Sequence, residues 1–92
     1  MPKLKSVEVK AALVRIPDWK NSGAVLRRTY AFKDFIAAVQ FVNRVAMAAE
    51  KAWHHPDIDI RWNKVVLSLT THDAGGLTKK DFVLARQFDR LA

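Results

Sequence analysis

The sequence predicts an α+β domain, a four-stranded antiparallel sheet with three helices on one face. Three observations lead to this prediction. Apolar residues recur at helical spacing in three segments, short alternating segments form two pairs, and turn residues separate the members of each pair. The resulting order is α-β-β-α-β-β-α, and two hairpins covered by helices make one layered domain. Because the chain has 92 residues and no internal linker, we expect a single domain that spans residues 1–92.

The first third of the chain predicts a helix followed by a hairpin. Apolar residues recur at helical spacing from Ser6 to Arg15, and Pro17 then stops the pattern. The sequence Asn-Ser-Gly offers a turn, and residues 24–32 alternate as a strand does. This strand places three large apolar side chains on one face, namely Leu26, Tyr30 and Phe32.

The longest predicted helix occupies the middle of the chain. Asp34 is a suitable N-cap, and Pro56 disfavours helical geometry at the preceding residue, so the helix should end around His54 and His55. Its apolar positions recur at intervals of four and three residues, which indicates one buried face. These positions are Phe35, Val39, Val42, Ala46, Ala49 and Trp53.

The last third of the chain predicts a second hairpin and a third helix. Residues 58–61 and 64–72 form two strands around a Trp-Asn-Lys turn. The second strand alternates between two faces, with Val65, Leu67 and Leu69 on one and Ser68, Thr70 and His72 on the other. Thr78 and Asp81 are three residues apart and form a capping box, which opens the last helix.

The composition excludes several classes of protein. Half of the residues are apolar and 27% are charged, as in an ordinary globular domain. There is no cysteine, so stability must come from packing, to which association between copies of the chain can add. No run of eighteen apolar residues occurs, and the N-terminus has no uninterrupted apolar stretch of signal-peptide length. We therefore expect a cytoplasmic protein without a membrane partner.

The chain is strongly basic, with a formal net charge of +7. Such a charge would suit a nucleic acid or another polyanion. The lysines and arginines are spread over the whole length, however, and no run of five or six occurs. This distribution favours a solvated basic surface, and we do not expect nucleic acid as a partner.

All three histidines lie between residues 54 and 72. If the long helix reaches His54, Glu50 lies one turn earlier on the same face, and His55 points about a quarter-turn away. His72 stands at the end of a predicted strand, from which it could face a cleft. Histidine transfers protons near neutral pH, so the cluster suits acid/base catalysis. The alternative is that the helix dipole merely favours exposed histidines at this helix end.

Other chemistries fit the sequence less well. Zinc ligands converge from spacings such as i, i+4, whereas the side chains of adjacent histidines diverge, so we expect no metal. The serines do not lie in a nucleophile elbow, and there is no cysteine nucleophile. A glycine loop that could cradle phosphate is also absent from the sequence.

The spacing of seven residues resembles the signature of the pterin-4a-carbinolamine dehydratases. These residues are Glu50, His54, His55, Pro56, Trp62, His72 and Asp81. The resemblance extends to Phe-Lys-Asp-Phe at 32–35 and to Thr-His-Asp-Ala-Gly-Gly-Leu-Thr at 71–78, and it covers nearly the whole chain. It implies the dehydration of 4a-hydroxytetrahydropterin to quinonoid dihydropterin and water in tetrahydropterin recycling. It also implies a homodimer or homotetramer that needs no metal or organic cofactor.

The resemblance further implies roles for individual residues. The implied pterin site comprises the catalytic His54, His55 and His72 and the substrate-binding Glu50, Asp81 and Trp62. Our hypothesis is that His54 and His72 transfer protons, while His55 holds the pterin by hydrogen bonds. Asp81 has an alternative role, because a capping box explains it without a ligand.

Protein interaction is a second class of function to consider. Dehydratase-like proteins also serve as assembly or transcriptional cofactor modules, so the resemblance allows a protein partner as well as a small-molecule pterin. A module without catalysis could lose its histidines without penalty. The intact set of three histidines therefore favours the enzyme.

Overall fold

The computed structural model describes residues 2–92, which form the predicted order of elements. The helices are α1 (Ser6–Leu13), α2 (Phe35–Ala52) and α3 (Lys79–Leu91). The strands are β1 (Lys20–Ser22), β2 (Val25–Ala31), β3 (Asp57–Arg61) and β4 (Lys64–Leu69). They make one antiparallel sheet in the order β1-β2-β4-β3, so the two hairpins join through β2 and β4. The predicted fold class is confirmed.

The hydrophobic core lies on one face of this sheet. Alternate residues of β2 and β4 point into it, as the two-residue period of a strand requires. The buried strand residues are Leu26, Tyr30, Val65, Leu67 and Leu69. Phe41 of α2 and Phe88 of α3 are fully buried in the same cluster. Each large side chain buried in this way contributes about 1.5–3 kcal/mol, so the core fixes the helices against the sheet.

The predicted apolar face of α2 is confirmed only in part, since Ala49 is buried as expected but the other predicted positions are not. The buried residues of this helix are Ala38, Phe41, Val45 and Ala49. Phe35 is 50% exposed and Trp53 is 73% exposed, and Trp53 lies just beyond the helix. The segment has apolar residues on more than one face, so its period alone could not identify the buried one. Packing decides it, because the Phe41 ring lies 4.6 Å from Tyr30 and 5.0 Å from Phe32.

The predicted end of the last strand also differs from the structure. β4 ends at Leu69 rather than at residue 72, and His72 begins a short 3-10 turn, His72–Ala74. The chain turns there because Thr71 forms an isolated bridge with Gly76, which closes a tight loop. In residues 2–92, the helices lack the combination of length and apolarity that crossing a membrane requires.

Candidate active site

The turn at the end of α2 takes the backbone of both adjacent histidines off the helix. Trp53 adopts a left-handed conformation with φ 54°. Its N–H donates to the carbonyls of Ala49 and Glu50, and the His54 N–H donates to Ala49, 3.1 Å away. This is the Schellman arrangement, in which glycine usually occupies the position of Trp53. The helix therefore ends before His54, and the predicted extension of α2 to that residue is wrong.

His54 pairs with an aspartate that is distant in sequence. Its Nε2 lies 2.7 Å from Oδ1 of Asp81, which is at the beginning of α3. The His54 side chain is 13% exposed and that of Asp81 is fully buried. The expected pair between Glu50 and His54 does not form, because the turn at Trp53 carries His54 off the helix.

Asp81 accepts hydrogen bonds on both carboxylate oxygens. Besides the bond to His54, its Oδ2 accepts from the Thr71 hydroxyl at 2.8 Å and from the Thr78 N–H at 2.9 Å. The two threonine hydroxyls are themselves 2.9 Å apart. The position at a helix N-terminus further favours negative charge. Asp81 therefore caps α3 and orients His54 at the same time.

His55 forms a second, exposed pair with a carboxylate. Its Nε2 lies 2.5 Å from Oε1 of Glu50, and the two side chains are 52% and 65% exposed. Trp53 meets the His55 ring edge-on, with ring centroids 5.5 Å apart. Glu50 thus holds His55 rather than His54.

His72 lines the same space from the loop that follows β4. It is the first residue of the 3-10 turn, which ends at Gly75 with φ 73°, a conformation that favours glycine. The three predicted catalytic residues line one groove of about 250 Å³. It is lined by Trp53, His54, His55, Thr70, Thr71, His72 and Asp73. A larger apolar groove of about 510 Å³ lies between α1 and α3, but its lining contains no histidine.

Trp62 does not line this groove within its own chain. It lies in the turn between β3 and β4, with φ 53° and 69% of its surface exposed. The whole length of β3 separates it from the histidine pair, roughly 17 Å at 3.3 Å per residue. Its predicted substrate-binding role stays a prediction.

The two threonines that follow β4 were not predicted to belong to the site. Thr70 and Thr71 both line the groove, and Thr71 also binds Asp81. The available signal was the segment at 71–78, in which a threonine directly precedes His72. The bridge between Thr71 and Gly76 closes the loop. The closed loop presents the Thr71 hydroxyl to the buried carboxylate of Asp81.

The three imidazoles differ in whether a carboxylate already holds one of their ring nitrogens. Because Asp81 holds Nε2 of His54 and Glu50 holds Nε2 of His55, Nδ1 is the remaining ring nitrogen of each for a ligand. His72 is exposed at the groove and forms no side-chain hydrogen bond with the described residues. Within residues 2–92, no three histidine, cysteine, aspartate or glutamate side chains gather as a metal site requires.

Comparisons with known proteins identify relatives of the whole chain. Residues 2–91 match the family described as Pterin 4 alpha carbinolamine dehydratase. A protein of Chloroflexus aurantiacus is 52% identical over 91 residues, which cover 99% of this chain and 98% of the relative. One from Nocardia farcinica is 53% identical over 89 residues, covering 97% and 94%. Both bear the provisional name pterin-4-alpha-carbinolamine dehydratase.

Two solved structures share the fold. The transcriptional coactivator/pterin dehydratase from Brucella melitensis has a TM-score of 0.94 and 33% identity, with 98% of each chain covered. A pterin dehydratase-like protein described as a RuBisCO assembly factor in the alpha-carboxysome has a TM-score of 0.67 and 21% identity. That match covers 80% of this chain and 86% of the other, and it supports the fold alone.

Proposed function

Because this chain belongs to the pterin-4a-carbinolamine dehydratase family, whose named activity is that of a hydro-lyase, we propose that its histidine groove dehydrates 4a-hydroxytetrahydropterin. The products are quinonoid dihydropterin and water. One observation supports this above all others. Three imidazoles line one groove, and carboxylates orient two of them.

The proposed reaction is a dehydration in which one proton is donated to the substrate and one is removed from it. A protonated imidazole donates to the departing hydroxyl, so the bond between carbon 4a and that oxygen breaks and water leaves. A neutral imidazole takes the proton from the neighbouring ring nitrogen, and the electron pair of that N–H bond forms the new C=N bond. His54 and His72 form the proposed pair, because both line the groove and they come from different segments of the chain. The groove is open, so water can restore both protonation states.

The remaining residues position the substrate and the pair. His55 holds the pterin by hydrogen bonding, and Glu50 orients the His55 ring. Asp81 orients His54 from its buried side. Positioned acid/base groups contribute roughly 10²- to 10⁴-fold each, which suits a substrate that already loses water slowly. The proposed reaction therefore needs no metal or organic cofactor.

The test is the breakdown of 4a-hydroxytetrahydropterin, which a hydroxylase generates in place and ultraviolet absorbance follows. His54→Ala and His72→Ala should each lower turnover by roughly 10²- to 10⁴-fold. Lys33→Ala is the matched control, because Lys33 is exposed and lies outside the groove. Circular dichroism checks that each variant folds. Near-normal turnover in both folded histidine variants contradicts the assignment.

A second candidate function is protein interaction, in an assembly or transcriptional role. The observation in its favour is the solved Brucella relative, which is described as a transcriptional coactivator as well as a pterin dehydratase. Large apolar side chains on α2 also face solvent, namely Phe35, Ile36 and Met47. If wild-type protein does not accelerate pterin breakdown, this candidate replaces the enzyme. The cytoplasmic location and the homodimer or homotetramer remain predictions.

A further inference from the structure

The groove between α1 and α3 offers an apolar surface to solvent. Its volume of about 510 Å³ falls within the range of small-molecule sites, roughly 300–1,000 Å³. Ile16 and Phe82 are almost completely buried there, whereas Val83 is 60% exposed. The apolar lining residues are Leu4, Ala11, Ala12, Ile16, Phe82 and Val83. An apolar ligand that enters this groove would therefore remove exposed apolar surface from water.

The two helices that form the groove run in the same direction. The Leu4 N–H donates to the carbonyl of Leu77 at 2.8 Å, and each of these residues lies two positions before its helix begins. At the other end, Trp19 Nε1 donates to Oδ1 of Asp89 at 2.9 Å. Trp19 follows α1, and Asp89 lies in the last turn of α3. The beginnings of the two helices are therefore neighbours, and so are their ends.

Charged residues line the two ends of the groove unequally. Glu8 of α1 and Lys79, the first residue of α3, lie near the beginnings of the helices, where their charges offset each other. Arg15, in the turn after α1, and Arg86, seven residues after Lys79, lie toward the ends. Two positive charges are therefore concentrated at one end of the groove.

Both arginines at this end are available to a ligand. Within residues 2–92, neither Arg15 nor Arg86 forms an ion pair. The aspartates that follow each of them by three residues, Asp18 and Asp89, lie 3.6 Å and 2.7 Å from Arg28 instead. A guanidinium group has five donors and binds a carboxylate through two of them at once. This end of the groove is therefore suited to an anionic head group.

The shape of the apolar part indicates an extended chain rather than a ring system. Lys79 and Arg86 are separated by roughly 10.5 Å along α3, at 1.5 Å per residue. Phe82 and Val83 lie between them on the same face of the helix, because they follow Lys79 by three and four residues. Phe82 is the one aromatic residue of the lining and is only 8% exposed, so a planar ligand would have little aromatic surface to stack on.

We propose that the groove between α1 and α3 binds a small anionic amphiphile. Its carboxylate contacts Arg15 and Arg86, and its alkyl chain lies along the apolar lining. A partner helix is favoured less, because the unpaired cations gather at one end instead of following the length of the groove. This inference is independent of the proposed function, since neither arginine lines the histidine groove.

The test is a titration followed by nuclear magnetic resonance, with octanoate as the probe and octanol as its uncharged counterpart. Octanoate should cause saturable shifts in the amide signals of α1 and α3. It should bind roughly tenfold more tightly than octanol, because two exposed ion pairs each contribute modestly. Equal affinities for the two probes, or no saturable shifts at these helices, would overturn the proposal.

A double variant tests the two arginines. Arg15→Gln/Arg86→Gln should lose the preference and bind octanoate and octanol alike. Lys33→Gln/Lys64→Gln is the matched control, because it removes the same charge from exposed residues outside the groove and should keep the preference. If the control loses as much affinity for octanoate as the arginine variant does, general attraction to a basic protein explains the binding and the proposal fails.

A third variant tests the place of binding and the other possible occupants. Ala11 is exposed and lines the groove, so Ala11→Trp should fill the groove, keep the fold by circular dichroism and abolish saturable binding of both probes. Unchanged binding would place octanoate elsewhere. A lower mass of Ala11→Trp by light scattering would make the groove an interface between copies. Binding of an acidic amphipathic peptide there, without binding of octanoate, would make it a protein-docking surface. Each of these three results overturns the proposal.

Discussion

α3 is tied to the rest of the molecule by an aspartate at each end, but only one of these ends is a candidate site. Asp81 at the beginning of the helix accepts from His54, Thr71 and Thr78. Eight residues later, Oδ1 of Asp89 also accepts from three donors. They are Trp19 Nε1 at 2.9 Å, Arg28 Nη1 at 2.7 Å and the Tyr30 hydroxyl.

The two networks differ in what their donors can do. Indole, guanidinium and phenol groups keep their protons at neutral pH, and they fasten Asp89 to β2 and to the segment before β1. The network around Asp81 ends instead in an imidazole that lines a groove. Of these two aspartates, only Asp81 therefore belongs to the candidate site, because one of its partners can exchange a proton and lines a groove.

The largest effect should come from Asp81→Asn. The amide keeps the size of the side chain but cannot accept from all three donors, so the His54 ring loses its orientation. We expect turnover to fall by roughly 10²- to 10⁴-fold. Asp89→Asn is the matched variant at the other end of α3, and its turnover should stay within a few-fold of wild type. Equal losses of turnover in the two folded variants would remove the distinction between the networks.

Asp89→Asn should instead reduce stability. Its carboxylate binds an arginine, and hydrogen bonds to charged groups contribute roughly 1.5–3 kcal/mol. Because both side chains are about a quarter exposed, solvent screening places the expected loss in the lower half of that range. Urea denaturation measures the change in the free energy of unfolding. An unchanged midpoint would show that Asp89 does not fasten α3.

The fold was predictable where its signals are local. Asp34 caps α2 as expected, and its Oδ1 accepts from the Ala37 N–H at 2.8 Å. The hairpin between β3 and β4 lies where the Trp-Asn-Lys turn predicts it. The buried face of α2 was not predictable, because contact between Phe41 and Tyr30 selects it and that contact depends on the sheet.

The grouping of the three histidines at one groove was predictable, whereas their carboxylate partners were not. The signature predicted that the three histidines lie together, and they line one groove. The i, i+4 rule for a helix, however, paired His54 with the wrong carboxylate, that of Glu50 instead of that of Asp81. The reason is Trp53, which adopts a left-handed conformation where a sequence rule expects glycine or asparagine. No local signal in the sequence indicates that turn, and it decides where both adjacent histidines point.

The hydrogen bonds around Asp89 should also make the protein less stable at alkaline pH. Burial above all, and then the hydrogen bond to Asp89, raise the pKa of Tyr30 far above its usual range. The unfolded chain releases this proton near pH 10, whereas the folded chain keeps it, so the free energy of unfolding falls as pH rises beyond about 10. The expected slope is about 1.4 kcal/mol per pH unit above that value.

Tyr30→Phe isolates this dependence, because the lysines that titrate in the same range are common to both proteins. Urea midpoints at pH 9 and pH 11 give the two slopes. Tyr30 is the one tyrosine of the chain, so absorbance at 295 nm also reports its ionisation directly. A phenolate signal from the folded protein near pH 10 would contradict the raised pKa.

The smallest effect should come from Glu50→Gln at the exposed pair. Glu50 and His55 are both more than half exposed, and exposed ion pairs contribute about 0–1 kcal/mol, so stability should change little. Gln keeps a carbonyl that can accept from His55, and turnover should fall by less than tenfold, far less than in Asp81→Asn. If Glu50→Gln proved as damaging as Asp81→Asn, burial would not distinguish the two carboxylates, and His55 would be as good a candidate for proton transfer as His54.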